Sequence, residues 1–256
     1  SSLLKKTEFV FEVSSHAISK KRIKNLPINI AAITNITQDH LDYHKTFINY
    51  RNTKFKLFLK FLSKQAIVIV NDNIEGINYL KQKLKKRNVK IITYGKNKSN
   101  VNCFPFEKIT KLKIYSKSYT IKFFATTDFE LENLACSICC CLAVGLKTKQ
   151  IISSISRIYK AEGRMQQVNP LYNGAKVFVD YAHTPDALKN ILVGKYNIYT
   201  KPNLVFGCGG NRDKSKRTKM GQIANKYANK IYITDDNPRN ENPDNIRQAI
   251  HSHCSK

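Results

Sequence analysis

An α/β fold built on a mainly parallel sheet is predicted for this chain, from three observations. First, apolar runs of buried-strand length at residues 28–34, 66–70 and 89–94 alternate with helix-period segments at 46–62 and 75–86. That is the βαβ rhythm of a parallel sheet. Second, the rhythm breaks between residues 104 and 125. Residues 111–115 and 119–123 alternate apolar and polar about a short polar turn, the pattern of a small antiparallel side sheet. Third, the rhythm restarts beyond residues 161–164, which read as a domain joint, with strands at 176–179, 203–206 and 230–234 and helices at 185–192 and 214–228. The predicted domains are residues 1–162 and 163–256.

Each element has a local reason. Residues 8–13 alternate and read as a strand ending at Ser14, Ser15 and His16. The run at 28–34 is mostly apolar and of buried-strand length. In the helix at 46–62, Phe47, Tyr50 and Lys54 fall on one line, which turns Lys54 inward, with Phe55, Phe58 and Leu62 beside it. The helix at 75–86 is charged. A helix is read at 131–144, with Asn133 at its opening, and a mixed helix at 149–159. No internal repeat or low-complexity linker occurs.

Composition narrows the classes. The 256 residues carry 44 Lys and Arg against 18 Asp and Glu, a net charge of +26. The lysines are spread along the chain, together with abundant Asn, Ile and Tyr. Biased composition accounts for that better than the compact basic stripe of a nucleic-acid binder. The 42% apolar content supports real cores. Seven cysteines form no disulfide framework. Cys136, Cys139, Cys140 and Cys141 crowd one apolar helix, where free Cys behaves as a small hydrophobe. Cys136 and Cys139 have C-x-x-C spacing, but no second pair stands at a zinc-site distance. A reducing cytoplasm fits this usage. Residues 1–13 lack the plan of a secretory leader, and no apolar run reaches the ~18 residues of a membrane span.

Three polar clusters stand directly behind apolar runs, where parallel strands end and α/β proteins place their chemistry. They are residues 34–44 (TNITQDHLDYH), 180–186 (DYAHTPD) and 235–239 (DDNPR). Glu12 and His40, with Asp39 and Asp42 flanking the histidine, offer carboxylate and imidazole ligands suited to a divalent cation that also touches phosphates. A capped strand end with a structural ion pair is the plainer reading. Lys54, facing inward, would ordinarily snorkel or pair with an acid. Ser14, Ser15 and His16, with Arg22 nearby, are donors for an anion. Arg164 alone reads as a structural arginine. The turn at 207–213 (GCGGNRD) lies between a strand and a helix, where glycines let a backbone approach a ligand. Pro238 fixes a turn from which Arg239 can grip a carboxylate with two hydrogen bonds.

In this order the clusters resemble the Mur ligase family, and the resemblance runs through nearly the whole chain. It implies an ATPase-type central domain followed by a Rossmann-like C-terminal domain. It implies ATP-dependent amide formation in peptidoglycan synthesis, through an acyl phosphate, with ATP and Mg2+ as cofactors. The substrates implied are UDP-N-acetylmuramoyl-L-alanyl-D-glutamate and meso-diaminopimelate. By the same resemblance Glu12, His40 and a carbamylated Lys54 hold the metals. Ser14, Ser15 and Arg22 meet the UDP substrate; Asn133, Arg164, Asp180 and His183 meet ATP. Lys54, Arg164 and His183 carry the catalysis, and Arg212, Asp236, Asn237 and Arg239 hold the amino acid. Arg239 marks the diaminopimelate-adding type.

Departures from the family pattern are Lys20, where many members have glutamine, and residues 127–133 (TDFELEN), which lack the glycine and first asparagine of the family's nucleotide-facing signature. No Gly-x-x-Gly-Lys-Thr phosphate loop occurs, and the family's later Gly-Lys-Gly-His-Glu segment is absent. Both domains are therefore read as truncated, and no ligase activity is expected of this piece alone. A monomer is expected, with no nucleic-acid partner and no membrane insertion. A lysine-adding or folylpolyglutamate-type relative and a basic nucleic-acid-binding remnant stay open as alternatives.

Overall fold

The computed structural model describes residues 9–95, 98–123, 125, 127–159, 161–168, 174–194 and 201–254. Six strands form the main sheet in sequence order: β1 (Ile28–Ile33), β2 (Leu62–Asn71), β3 (Lys90–Tyr94), β4 (Val101–Phe106), β5 (Ile109–Ile114) and β6 (Lys117–Ile121). The pairs β1–β2 and β2–β3 are parallel. The predicted hairpin is β5–β6, antiparallel, and it is joined to the parallel strands through β4, which meets β3 at the single parallel pair Tyr94↔Val101.

Layering follows from the strand period of two. Along β2, Ala66, Val68 and Val70 point into a core with Phe55 and Phe58 of α3 (Phe47–Lys60) and Leu80 and Leu84 of α4 (Ile77–Lys85). Ile69, with Ile92 and Tyr94, packs on the other face against Leu134, Ile138 and Cys139 of α5 (Asp128–Ala143) and Ile151 and Ile155 of α6 (Thr148–Ile155). Val68, Ile69 and Val70 are fully buried; each such side chain stabilises by about 1.5–3 kcal/mol relative to exposure. Cys136 and Cys139 are buried as core residues of α5.

Three readings of the sequence need correction. Residues 9–13 are not in a strand. Phe9 and Val10 are 84% and 98% exposed, and no strand among the described residues pairs beside them. An alternating pattern becomes a strand only where a neighbour completes the backbone ladder. Glu8 lies outside the described residues. Helix α5 opens at Asp128, so Asn133 sits inside it rather than at its start. The cause is a capping box: Thr127 Oγ1 accepts from the Glu130 amide while the Glu130 carboxylate accepts from the Thr127 amide. Short helices α1 (Ser15–Ser19) and α2 (Leu41–His44) flank β1, where the sequence signals only polar loops.

Beyond a two-stranded ladder of β7 (Gln166–Gln167) and β8 (Phe178–Val179), a second unit forms. Parallel strands β9 (Leu204–Phe206) and β10 (Ile231–Ile233) pack with α7 (Pro185–Leu192), α8 (Ser215–Tyr227) and α9 (Pro243–His251) around Leu188, Met220, Ile246 and Ile250. Among the described residues no helix is long and apolar enough to cross a membrane.

Candidate active site at the carboxyl edge of the sheet

The turn after β1 is the hub. His40 caps α2 from a left-handed conformation (φ 54°). Asp39 holds it there by accepting the His40 amide at 2.9 Å, and the His40 ring nitrogen Nε2 stands 3.3 Å from the same carboxylate. His183, from the loop before α7, reaches across to within 3.8 Å of Asp39 Oδ2. One carboxylate thus joins histidines from the two halves of the chain. Burial by itself would raise the Asp39 pKa. The hydrogen bond with His183, the His40 charge and the His40 amide outweigh it and hold the group at about 2. The same hydrogen bond pushes His183 up, against the effect of burial.

Lys54, one turn along α3 from Tyr50, enters this cluster. Its ammonium lies 5.1 Å from the Tyr50 ring centroid. Burial lowers its pKa, and the carboxylates of Asp39 and Glu12 push the other way. The four groups named from sequence on this side, Glu12, His40, Lys54 and the flanking Asp39, therefore share one electrostatic neighbourhood. His16 and His44 complete it: the His16 ring is 4.9 Å from that of His40 and 5.7 Å from that of His44. Burial lowers both pKa values, each further depressed by a neighbouring imidazole. Arg212, from the glycine-rich turn of the second half, adds its charge to those acting on His16.

Other predicted site residues have distinct placements. Ser14 caps α1 by accepting from the Ala17 amide, which leaves its own hydroxyl proton available. Ser15 is 2% exposed and hydrogen-bonded to His44, so its hydroxyl is spent on the fold. Arg22 is exposed. Asn133 is exposed on α5, one residue beyond Glu132, whose carboxylate accepts from Asn71, the last residue of β2, and from Asn73 just past it. Asp180 accepts the Met165 amide at 2.7 Å and the Ala182 amide at 2.8 Å, and so pins the joint to the second unit. Arg164 stacks over the Tyr181 ring at 4.6 Å.

The glycine-rich turn does not leave room for a ligand at its backbone; its own chain fills that space. A Cβ on Gly207 would stand 2.4 Å from the Thr234 carbonyl oxygen, and one on Gly210 only 1.8 Å from that of Pro238. The glycines thus let residues 234–238 lie directly on the turn. Arg239 Nη1 donates to the carbonyls of Gly210 (2.8 Å) and Asn237 (3.3 Å), while Asp236 accepts the Asn237 amide. Gly210→Ala is expected to force the two turns apart and cost about 2–4 kcal/mol, the range of a severe overpacking. A urea unfolding midpoint unchanged from wild type would refute this close approach.

Sequence reasoning missed several groups. Gln38 donates to Ser215 Oγ at 3.1 Å and to Asp213 at 3.4 Å, and accepts from Lys219, so it ties the β1 turn to α8. Lys216, 7% exposed, donates to the His183 carbonyl. Arg217, 4% exposed, makes two 3.0 Å hydrogen bonds to Glu241. The Thr-x-x-Glu at 127–130 was a visible capping signal; the Arg217–Glu241 pair, 24 residues apart, left none.

Residues 3–141 match the Mur ligase middle domain, and residues 163–256 match the Mur ligase glutamate ligase domain. The chain is 40% identical over 254 residues to UDP-N-acetylmuramoyl-L-alanyl-D-glutamate–2,6-diaminopimelate ligase of Rickettsia montanensis, covering 96% of this chain and 52% of that protein. The protein of the same name from Rickettsia conorii is 41% identical over 261 residues, again with 96% and 52% covered. A solved structure with that enzyme name superposes with a TM-score of 0.61 at 29% identity, over 93% of this chain and 50% of the other. Folylpolyglutamate synthase of Mycobacterium tuberculosis shares the fold, with a TM-score of 0.71 at 14% identity over 90% of this chain and 53% of that one. The chain spans about half the length of the curated relatives it matches.

Proposed function

The chain belongs to the Mur ligase family, and from that premise we propose that it carries the metal-side and amino-acid-side parts of an ATP-dependent amide ligase. The reaction adds meso-diaminopimelate to UDP-N-acetylmuramoyl-L-alanyl-D-glutamate in peptidoglycan synthesis. The observation that carries this reading is the convergence of Glu12, Asp39, His40 and Lys54 with His183 and Arg212 at one edge of the sheet.

In the first step the free D-glutamate carboxylate attacks the γ-phosphorus of ATP, giving an acyl phosphate and ADP. The amine of diaminopimelate then attacks the acyl carbon, forming the amide, releasing phosphate and losing a proton. Arg164 would swing from Tyr181 to offset charge on the transferring phosphoryl group. Asn133, Asp180 and His183 would face the nucleotide; Asp180, already bonded to the Met165 amide, sets the joint about which they move. Ser14 and Arg22 would hold the UDP substrate, with Ser15 fixing His44 behind them.

The donor set suits Mg2+. Among the described residues no three His, Cys, Asp or Glu side chains converge to hold an ion by themselves. Mg2+ is commonly held by one or two carboxylates together with waters and substrate phosphates, and Glu12 and His40 could supply such a partial shell. Bound there, it would neutralise phosphate charge. A carbamate on Lys54 would replace a cation by an anion beside Asp39 and Glu12, so the modification requires a compensating cation and couples to the metal.

Asp236, Asn237, Arg212 and Arg239 would form the amino-acid pocket. Diaminopimelate carries a distal carboxylate that lysine lacks, and Arg239 is its partner. Arg239→Ala in the ligating protein is expected to lower kcat/KM for diaminopimelate by about a hundredfold or more, the loss expected when a charge-assisted bidentate contact goes. Steady-state rates with meso-diaminopimelate and L-lysine test this: equal use of both by the wild type would sink the assignment. The 256 residues contain no Gly-x-x-Gly-Lys-Thr phosphate loop, and the purified chain by itself is expected to form no amide.

A further inference from the structure

The parallel sheet has a second, opposite edge, and its chemistry is one-signed. At the amino ends of the strands stand Lys24, four residues before β1; Lys60 and Lys64, flanking the start of β2; and Lys85, Lys86 and Lys90, from the end of α4 to the start of β3. All six are exposed. The strand pairing Ile28↔Leu62 and Ile67↔Lys90 draws the three groups together. Arg87 binds them further, its Nη1 donating to the Phe58 carbonyl at 2.8 Å. A shallow groove lined by Ser63, Lys64, Gln65, Arg87, Asn88 and Val89 runs along this edge.

Among the described residues, the helices and strands that form it carry no acid. No Asp or Glu occurs in residues 13–38, 43–71 or 76–106. The acids nearest the parallel strands follow them at the opposite edge: Asp39 and Asp42 after β1, Asp72 and Glu75 after β2, with Glu132 against Asn71. A general lysine excess does not sort acids to one edge. Favourable contact with helix C-termini explains Lys60 and Lys85, but Lys24, Lys64 and Lys90 are on loops and strands. The second half of the chain meets the carboxyl edge, through Asp39–His183 and Gln38–Asp213, so the basic edge faces away from it and from the candidate site.

We propose that this amino edge is a docking surface for an anionic lipid membrane, holding the protein peripherally with the candidate site turned to solution. Six lysine point charges without acid neighbours match a diffuse negative surface. Leu26, 45% exposed beside Lys24, offers an apolar contact at the interface. A nucleic-acid partner fits less well. The edge has no exposed aromatic ring for stacking within residues 56–65 or 83–90, and its arginine is half-buried and committed to Phe58, whereas single strands are gripped by aromatic and arginine planes.

The test is co-sedimentation of the chain with phosphatidylcholine vesicles containing about one-third phosphatidylglycerol, at about 0.15 M salt, against pure phosphatidylcholine. Binding is expected to the anionic vesicles alone. The triple variant Lys60→Gln, Lys64→Gln, Lys86→Gln is expected to weaken it about tenfold or more, since each lysine near the surface contributes separately. A control of equal charge change on the hairpin, Lys111→Gln, Lys113→Gln, Lys117→Gln, is expected to stay within about twofold, at unchanged urea midpoints for both. Three results overturn the proposal: no binding to anionic vesicles, an equal loss from both triples, or a duplex RNA that displaces the protein from the vesicles by occupying the same lysines.

Discussion

In the ligating protein, Lys54→Met and Lys54→Arg are both expected to lower ligation by about a thousandfold or more, roughly 4 kcal/mol of transition-state stabilisation. Methionine keeps the length and apolar stem of the side chain, so α3 keeps its packing. Arginine also keeps the positive charge facing Asp39 and Glu12. Neither can become a carbamate. Carbamylation needs the neutral amine, and the burial that lowers the Lys54 pKa raises that fraction. If Lys54 were only a counter-ion for the two acids, arginine would retain most of the rate and methionine would mainly lower stability. The comparison of kcat with the urea midpoint for the two variants therefore separates the roles. Near-wild-type turnover by Lys54→Arg would exclude the carbamate.

The second large effect concerns stability. Glu241→Ala is expected to destabilise the second unit by about 2–3 kcal/mol, less than a fully buried pair loses because Glu241 is only partly buried and Arg217 keeps the Gly209 carbonyl. The stranded group is Arg217, 4% exposed, whose two 3.0 Å hydrogen bonds both end on Glu241. Glu241 also accepts the Asn211 amide, at 2.5 Å, and so carries the glycine-rich turn. These hydrogen bonds, with that of Arg217 first, hold the Glu241 pKa at about 2. A depressed carboxylate stabilises the fold above its unfolded pKa of about 4.5 and loses that contribution as pH falls from 4.5 towards 2. The gap between wild type and Glu241→Gln in urea titrations should accordingly be full at neutral pH and shrink below about pH 4. A gap independent of pH would show that the carboxylate charge is not what holds the turn.

Legibility in the sequence followed signal strength. Residues 66–70 declared a doubly buried strand because five apolar residues stand in a row, and they are the centre of both main cores. Lys54 was placed inward by its line with Tyr50, and it is there. The strand expected at 8–13 was not legible, because pairing belongs to a neighbour and not to the pattern. Helices α1, α2 and α9 were missed because two are only one or two turns long and α9 carries few apolar residues. The glycines at 207–210 were read as making space for a ligand; a turn cannot announce whether ligand or chain will fill the space, and here Pro238 does. Gln38 and Lys216 were invisible for a similar reason: their contacts span 33 to 181 residues.

The most direct measurement is ligation by the protein purified from its source, with ATP, Mg2+, UDP-N-acetylmuramoyl-L-alanyl-D-glutamate and a choice of amino acids. The expected result is one ADP and one phosphate released per amide formed with meso-diaminopimelate, and little product with L-lysine. Amide formation with lysine at the same rate, or no nucleotide-dependent amide with either, would contradict the account.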